Sequence, residues 1–294
     1  MKNTPIDIGS FVDTLPLMPP WISSGRAETL EDAAFLSGAA LSVLHLVVTQ
    51  DDVPHALLRD RLALWAAEAC VVHTGRPERA ADLRDAVHLL RPGDQPGPAG
   101  AIYQMWRQAV VQPLSGRGLH KALPEWSIHD IASWLDAGRG RAVSQAASVL
   151  ETVLQEAPRA EAEAMILADA ALARALGWGR MVPLLAAGLT PRDLHQTGDD
   201  LRLACHRTIV ASATDTVRRA AETTRRAHRL KAIVPKLRAR GAGAAVDMFL
   251  TRDAVAPAAL PLPDRAARRL CDRLVDLGVV RELTGRDTFR LYGV

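Results

Sequence analysis

The chain has 294 residues, of which 48% are hydrophobic and 23% are charged, values typical of a soluble globular protein with one large domain or two ordinary ones. Aromatic residues account for only 4%, and the abundance of alanine favours closely packed helices over sheets. The three cysteines are far apart and form no CxxC pair, which excludes a disulfide scaffold and a zinc knuckle.

The N-terminus lacks the basic, apolar and small-residue segments of a signal peptide. The longest apolar run near the start, Ala39 to Val48, is interrupted by Ser42 and His45 and is too short to span a bilayer. We therefore expect a cytoplasmic protein with no membrane partner.

The net charge of +3 conceals a difference between the two ends of the chain. Residues 202–294 contain 19 lysines and arginines against 9 acidic residues. Residues 1–201 contain the other 17 basic residues and the other 24 acidic ones. A basic end on an acidic body is the arrangement expected when only that end meets a polyanion such as DNA.

Most of the chain is predicted to be helical. Residues 1–20 carry three prolines near their end and are predicted to form an irregular N-terminal arm. Residues 21–240 are predicted to form an all-α body, because apolar residues recur there at three- and four-residue spacing. The predicted body helices cover residues 29–48, 54–75, 77–90, 101–111, 127–136, 141–156, 160–176 and 203–230.

Residues 91–100 contain three prolines and three glycines and are predicted to be a loop. One interpretation is a small polar site made of Asp85, His88, Arg91 and Asp94. The interpretation that we favour is a rigid connector between two helices. The loop is not a P-loop, because it lacks the lysine and the Ser/Thr that hold a phosphate and magnesium.

The last predicted body helix and the residues after it form the most basic segment of the chain. Arg218, Arg225, Lys236 and Arg238 are candidates for anchoring DNA phosphates. The alternative is that this helix pairs with the acidic body, and the sequence does not separate the two.

Residues 241–294 follow the order of a winged helix-turn-helix. The basic helix of this segment ends at Gly278, a residue suited to the left-handed conformation that terminates helices. In chain order the predicted elements are a helix at 244–250, a short helix at 252–260 interrupted by Pro257, a basic helix at 263–278 and a β-hairpin wing at 279–292. The predicted fold class is therefore an all-α body followed by a winged helix-turn-helix with a small β-hairpin wing.

Arginines supply the candidate DNA contacts of this C-terminal segment. Arg265, Arg268 and Arg269 of the basic helix are candidates for reading a groove, since a guanidinium can bond a guanine edge or a phosphate twice. Arg286 and Arg290 are candidates for contacts from the wing. The alternatives are solubilising charges on an exposed helix, or a winged helix that docks a protein partner or a second copy of the chain.

Catalytic patterns are absent from the sequence. It contains no HExxH, GxSxG, GxGxxG or Walker motif. The spacing of His195, Asp199, Cys205 and His206 matches no metal motif. We therefore expect no cofactor, no metal and, as the first hypothesis, no catalysis. An enzyme centred on Asp85, His88 and Asp94 would require those side chains to converge in a pocket.

Several strings occur together along the chain, and their combination carries a resemblance. They lie at residues 31–35 with 38–41, 90–100, 168–173 with 176–178, 235–243 and 281–293. Together they resemble a bacterial family catalogued as domain-of-unknown-function family 1403. This resemblance spans nearly the whole chain and implies no activity and no catalytic residue. The ending from Arg281 to Arg286 also resembles the C-terminal winged helix of Fic-type and of plasmid-associated DNA-binding proteins, although the Fic catalytic signature is missing.

The function expected from these observations is DNA binding, in regulation or maintenance of a mobile element. It depends on the charge difference and on the order of helix and hairpin. The alternative is a non-catalytic interaction subunit that uses the winged helix as a docking module.

Overall fold

The computed structural model describes residues 15–25, 27–91, 93–237 and 241–294. In this part of the chain the fold is mostly helical, as predicted, with one small two-stranded sheet near the C-terminus. The helices in chain order are α1 (Pro20–Ser23), α2 (Leu30–Val48), α3 (His55–His73), α4 (Ala80–His88), α5 (Gly97–Ala109), α6 (Gly116–Leu119), α7 (Ile128–Asp136), α8 (Ala142–Glu156), α9 (Glu161–Ala175), α10 (Gly198–Ile233), α11 (Ala242–Phe249) and α12 (Asp264–Asp276). The strands are β1 (Arg281–Glu282) and β2 (Tyr292–Gly293).

The central helix of the body is α9. Every residue from Ala164 to Ala173 is buried, and α9 contacts α3, α5, α7 and α8. Five of these ten residues are alanine, whose small side chain allows neighbouring helices to approach closely. The alanine content of the sequence thus corresponds to the densest part of the core.

Helix α2 packs along α10 at one side of the body. The Thr29 hydroxyl accepts a hydrogen bond from the Asp32 main-chain N–H and so caps the start of α2. By length and composition α2 could cross a membrane, but in the folded chain Ala33, Leu41 and Leu44 are buried. The cytoplasmic location stays a prediction.

A second hydrophobic cluster, called here the C-terminal cluster, lies under residues 241–294. Its core contains Phe249 of α11 and Leu270 and Leu274 of α12. Leu57 of α3 and Leu230 of α10 belong to the same cluster. The C-terminal elements are therefore packed directly onto two helices of the body.

The C-terminal sheet is completed by a third extended residue. β1 and β2 are antiparallel, with Glu282 opposite Tyr292. On the other side of Tyr292, Val255 forms an isolated bridge in which the two residues exchange main-chain hydrogen bonds of 2.8 and 3.0 Å. Tyr292 therefore lies between two partners in a minimal sheet.

The structure differs from the predicted elements at three places. The short helix predicted at 252–260 is replaced by the Val255 bridge and a 3-10 turn at Pro257–Ala259, because proline lacks an N–H and disfavours helix at the preceding residue. Helix α5 begins at Gly97, inside the predicted loop, since Pro98 fits a first helical turn. The wing strands have two residues each, fewer than predicted.

We expect Phe249→Ala to lower the free energy of unfolding by about 3–5 kcal/mol, because Phe249 is fully buried in the C-terminal cluster. Urea unfolding followed by circular dichroism measures this loss. The matched control is Phe289→Ala, since Phe289 is 67% exposed and its removal should change stability by about 0.5 kcal/mol or less. Equal losses in the two variants would show that the cluster is not a packed core.

Candidate nucleic-acid interface

Helix α12 separates apolar and charged residues cleanly. Its buried residues are Ala267, Leu270, Cys271 and Leu274. This stripe differs slightly from the predicted one, since Leu277 follows the helix end and is 38% exposed. The residues on the opposite face of α12 are therefore not part of the hydrophobic core.

The exposed face of α12 carries four arginines. Arg265, Arg268 and Arg269, the predicted groove-reading residues, are all exposed, and so is Arg273. Among the described residues none of the four has an ion-pair partner within 4.0 Å. Their guanidinium groups are available to an external ligand.

The wing arginines are already engaged within the protein. Arg286 makes a two-bond pair with Asp85 of α4, at 2.6 and 2.7 Å. Arg290 donates to the main-chain oxygen of Arg286 at 2.9 Å and lies 3.5 Å from Asp287. The β1–β2 hairpin is thus attached to the body through a contact between residues 201 positions apart.

A cleft of about 560 Å³ lies between α12 and the wing. Its lining combines Arg268 and Arg290 with three carboxylates, Asp264, Asp272 and Asp287. Phe289 also lines it, 67% exposed and with a positive φ of 54°, a conformation that bulky residues rarely adopt. This cleft is mixed in charge, and the exposed face of α12 beside it also carries Asp264, Asp272 and Asp276 among its four arginines.

The residues on and after α10 that are predicted to anchor DNA phosphates differ in their surroundings. Arg218 is 2.5 Å from Asp215, one turn away on the same helix. Arg225 and Lys236 are exposed and have no ion-pair partner among the described residues. Arg238 lies outside the described residues.

The predicted polar site around the loop at 91–100 does not gather in one place. Asp85 holds Arg286, whereas Asp94 accepts a hydrogen bond from the Arg91 main-chain N–H and so closes a local turn. His88 is tilted against Tyr103, with ring centroids 6.5 Å apart. No group of three or more potential metal ligands is found among the described residues.

Sequence reasoning missed a buried ionic network beneath the C-terminal segment. Asp253 is only 3% exposed and accepts from Arg84 Nε at 2.6 Å and Nη2 at 3.3 Å. Arg61 lies on its other side, with an N–O distance of 3.4 Å. Burial lowers the pKa of the Arg61 guanidinium, whereas the Asp253 carboxylate acts in the opposite direction.

This network continues through α3 to α5. The main-chain N–H of Asp253 donates to Asp60 at 2.8 Å, and Asp60 accepts from Arg107 at 2.9 Å. Arg61 also donates to Thr223 of α10 and to the main-chain oxygen of Val294. The sequence feature that could have indicated this network is the Asp60-Arg61 pair, which interrupts an apolar run in α3.

We expect Asp253→Ala to destabilise the protein by about 3–5 kcal/mol, because it leaves the partly buried Arg61 and Arg84 without the counter-charge of this buried carboxylate. Chemical unfolding of the full chain measures the loss. The control is Asp136→Ala, which breaks an exposed pair with Arg174 and should cost about 0–1 kcal/mol. A loss at Asp253 no larger than that at Asp136 would contradict the structural role of the network.

The partly buried His88 predicts a pH dependence of stability. Burial, followed by the charge of Arg107, lowers its pKa from 6.5 to about 4, and no residue that the structure describes forms a hydrogen bond with its Nε2. As the pH falls from 7 to 5, the unfolded chain takes up a proton on this ring that the folded chain excludes. The wild type should lose more unfolding free energy over this window than His88→Gln does. Parallel losses would contradict this assignment.

Comparison with known proteins identifies a family. A protein-family model described as "Protein of unknown function (DUF1403)" matches residues 8–294. A search of curated proteins gave no significant match. The matched span includes the helical body, the buried network and the arginine face of α12. The chain is therefore a member of the DUF1403 family.

Proposed function

We propose that residues 241–294 form a winged helix-turn-helix that binds double-stranded DNA through the exposed face of α12. The observation that carries the proposal is the group of exposed, unpaired arginines on this helix, with Arg265, Arg268 and Arg269 at its start. A helix that presents arginines from its N-terminal half is the arrangement by which such folds enter the major groove.

The order of the surrounding elements supports the same proposal. Helix α11, the extended residue Val255, the turn at Pro257–Ala259, helix α12 and the β1–β2 hairpin follow one another in the sequence of a winged helix. The likeness to the winged helix of Fic-type and plasmid-associated proteins belongs to this proposal.

The proposed contacts have an order of importance. The α12 arginines make the first contacts because they need no rearrangement. Arg225, Lys236 and Arg238 add phosphate contacts from the end of the body. Arg218, Arg286 and Arg290 contribute only when DNA phosphates replace their present partners, Asp215, Asp85 and Asp287.

The test is a titration of the full chain with duplex DNA from its genetic neighbourhood and with a scrambled duplex, at low and near-physiological salt. Replacing Arg265, Arg268 and Arg269 by alanine should weaken binding to both duplexes and reduce the slope of log affinity against log salt by about one for each of the three that contacts a phosphate. A preference of the wild type for the native duplex would support a regulator or maintenance factor of a mobile element.

The matched control removes three other exposed arginines, Arg117, Arg159 and Arg192, which lie outside the C-terminal segment. This variant has the same net charge and should retain the wild-type affinity and salt slope. Equal losses of DNA affinity in the two triple variants would show that the effect comes from net charge alone. Absence of binding at low salt would end the DNA proposal.

A second candidate function is protein docking, favoured by one observation. Exposed Phe289 and the three carboxylates of the neighbouring cleft suit a basic peptide with an apolar anchor better than they suit DNA. Phe289→Ala should leave DNA binding unchanged if α12 is the interface, whereas it should weaken a docked partner.

A further inference from the structure

A cavity of about 630 Å³ opens between α2 and the beginning of α8, far along the chain from the proposed DNA interface. Most of its lining is apolar, and its volume is within the range of pockets that enclose a small organic molecule. The apolar side of the lining includes Ala34, Leu41, Leu46, Val143 and Leu176.

The buried polar groups of this cavity are Ser37 and His206. Ser37 Oγ and His206 Nδ1 are 2.7 Å apart, and the residues are 1% and 7% exposed. The Ser37 hydroxyl also lies 3.0 Å from the Ala34 main-chain oxygen; when it donates to that oxygen, the ring donates from Nδ1 and Nε2 keeps its lone pair. Burial, followed by the charge of Arg202, lowers the pKa of His206 and keeps the ring neutral.

The second ring nitrogen of His206 is left without a protein partner. Among the described residues no hydrogen bond reaches His206 Nε2, and the residue, which is 7% exposed, lines the cavity. This nitrogen is not one of the fully buried unpaired atoms, so it is open to the cavity. A ligand that carries a hydroxyl group would supply a partner there.

The opposite part of the lining attracts negative charge. Helix α8 begins here without a side-chain cap, and its first internal hydrogen bond runs from Gln145 N to Arg141 O. The N–H groups of Ala142, Val143 and Ser144 therefore have no acceptor within the helix. The start of a 15-residue helix favours an anion, and the exposed Arg141 adds a full positive charge beside it.

A further donor comes from His45. Its Nδ1 accepts a hydrogen bond from Trp178 Nε1 at 2.9 Å, which leaves the ring proton on Nε2. No aspartate or glutamate is among the residues that line the cavity. The cavity thus combines an apolar wall, anion-favouring donors and a histidine nitrogen that faces the cavity.

We propose that this cavity binds a small apolar monocarboxylate, with the carboxylate at the start of α8 and the apolar body against α2. A hydroxyl group on that body donates to His206. The site is separate from the proposed DNA interface and does not depend on it.

Calorimetric titration of the full chain tests the proposal, with 3-phenylpropanoate and octanoate as the aromatic and aliphatic probes. The uncharged control is 3-phenylpropanamide, which has the same shape as the aromatic acid. The acid should bind at least about tenfold more tightly than the amide, the effect of a single charge-assisted hydrogen bond. Equal binding of acid and amide, or no saturable binding of either acid, overturns the proposal.

A cavity-filling substitution locates the site. Gly38 lines the cavity, and a Cβ built on it meets no atom within 4 Å, so Gly38→Leu fills the space while improving a helical position. We expect it to weaken binding of the acid at least tenfold. Gly243→Leu in α11, where a Cβ also meets nothing, should not change the affinity. Unchanged affinity in a folded Gly38→Leu protein would place the ligand elsewhere.

The role of His206 has its own test. In the wild type, 3-(4-hydroxyphenyl)propanoate should bind more tightly than 3-phenylpropanoate, because only the former can donate to Nε2. His206→Phe should remove this difference while retaining the preference for acid over amide. A persistent hydroxyl preference in the variant would contradict the contact with His206.

Discussion

The buried carboxylate of Asp253 is the interaction on which the arrangement of the molecule depends. It brings the partly buried Arg61 of α3 and Arg84 of α4 to one buried residue of the C-terminal segment. A buried charge is unfavourable unless its partners are placed correctly. The ionic network therefore selects one placement of α11, α12 and the hairpin on the body, while the C-terminal cluster supplies most of the burial.

This dependence changes how the charge of the chain should be interpreted. The sequence shows a basic end on an acidic body, but much of that positive charge is used internally. Arg286 is held by Asp85, Arg218 and Arg219 share Asp215, and Arg226 pairs with Glu222. Among the described residues, the charge left for an external polyanion lies on α12 and, at residues such as Arg225 and Lys236, on and just after α10, so the proposed interface is narrower than the whole basic end.

The sequence was sufficient for local structure and insufficient for long-range contacts. Apolar spacing predicted α12 and most body helices because helix periodicity is a local property. The pair between Arg286 and Asp85 could not be predicted, since it joins residues 201 positions apart. The cavity beside α8 was missed for the same reason: Ser37 and His206 meet only when α2 packs on α10. The start of α5 was predicted wrongly for a different reason, because a proline such as Pro98 occurs in the first turn of a helix as readily as in a loop.

The length of helix α10 bears on whether the C-terminal segment could be separated from the body. Its 36 residues extend about 54 Å, with Cys205 and Ile209 in the body core and Leu230 in the C-terminal cluster. Removing the C-terminal segment would uncover Leu57 and Leu230 and leave Arg61 and Arg84 without Asp253. Unlike a module that can be exchanged between unrelated genes, this segment shares its interior with the rest of the chain. A family model that extends from residue 8 to residue 294 is what such shared packing leads one to expect.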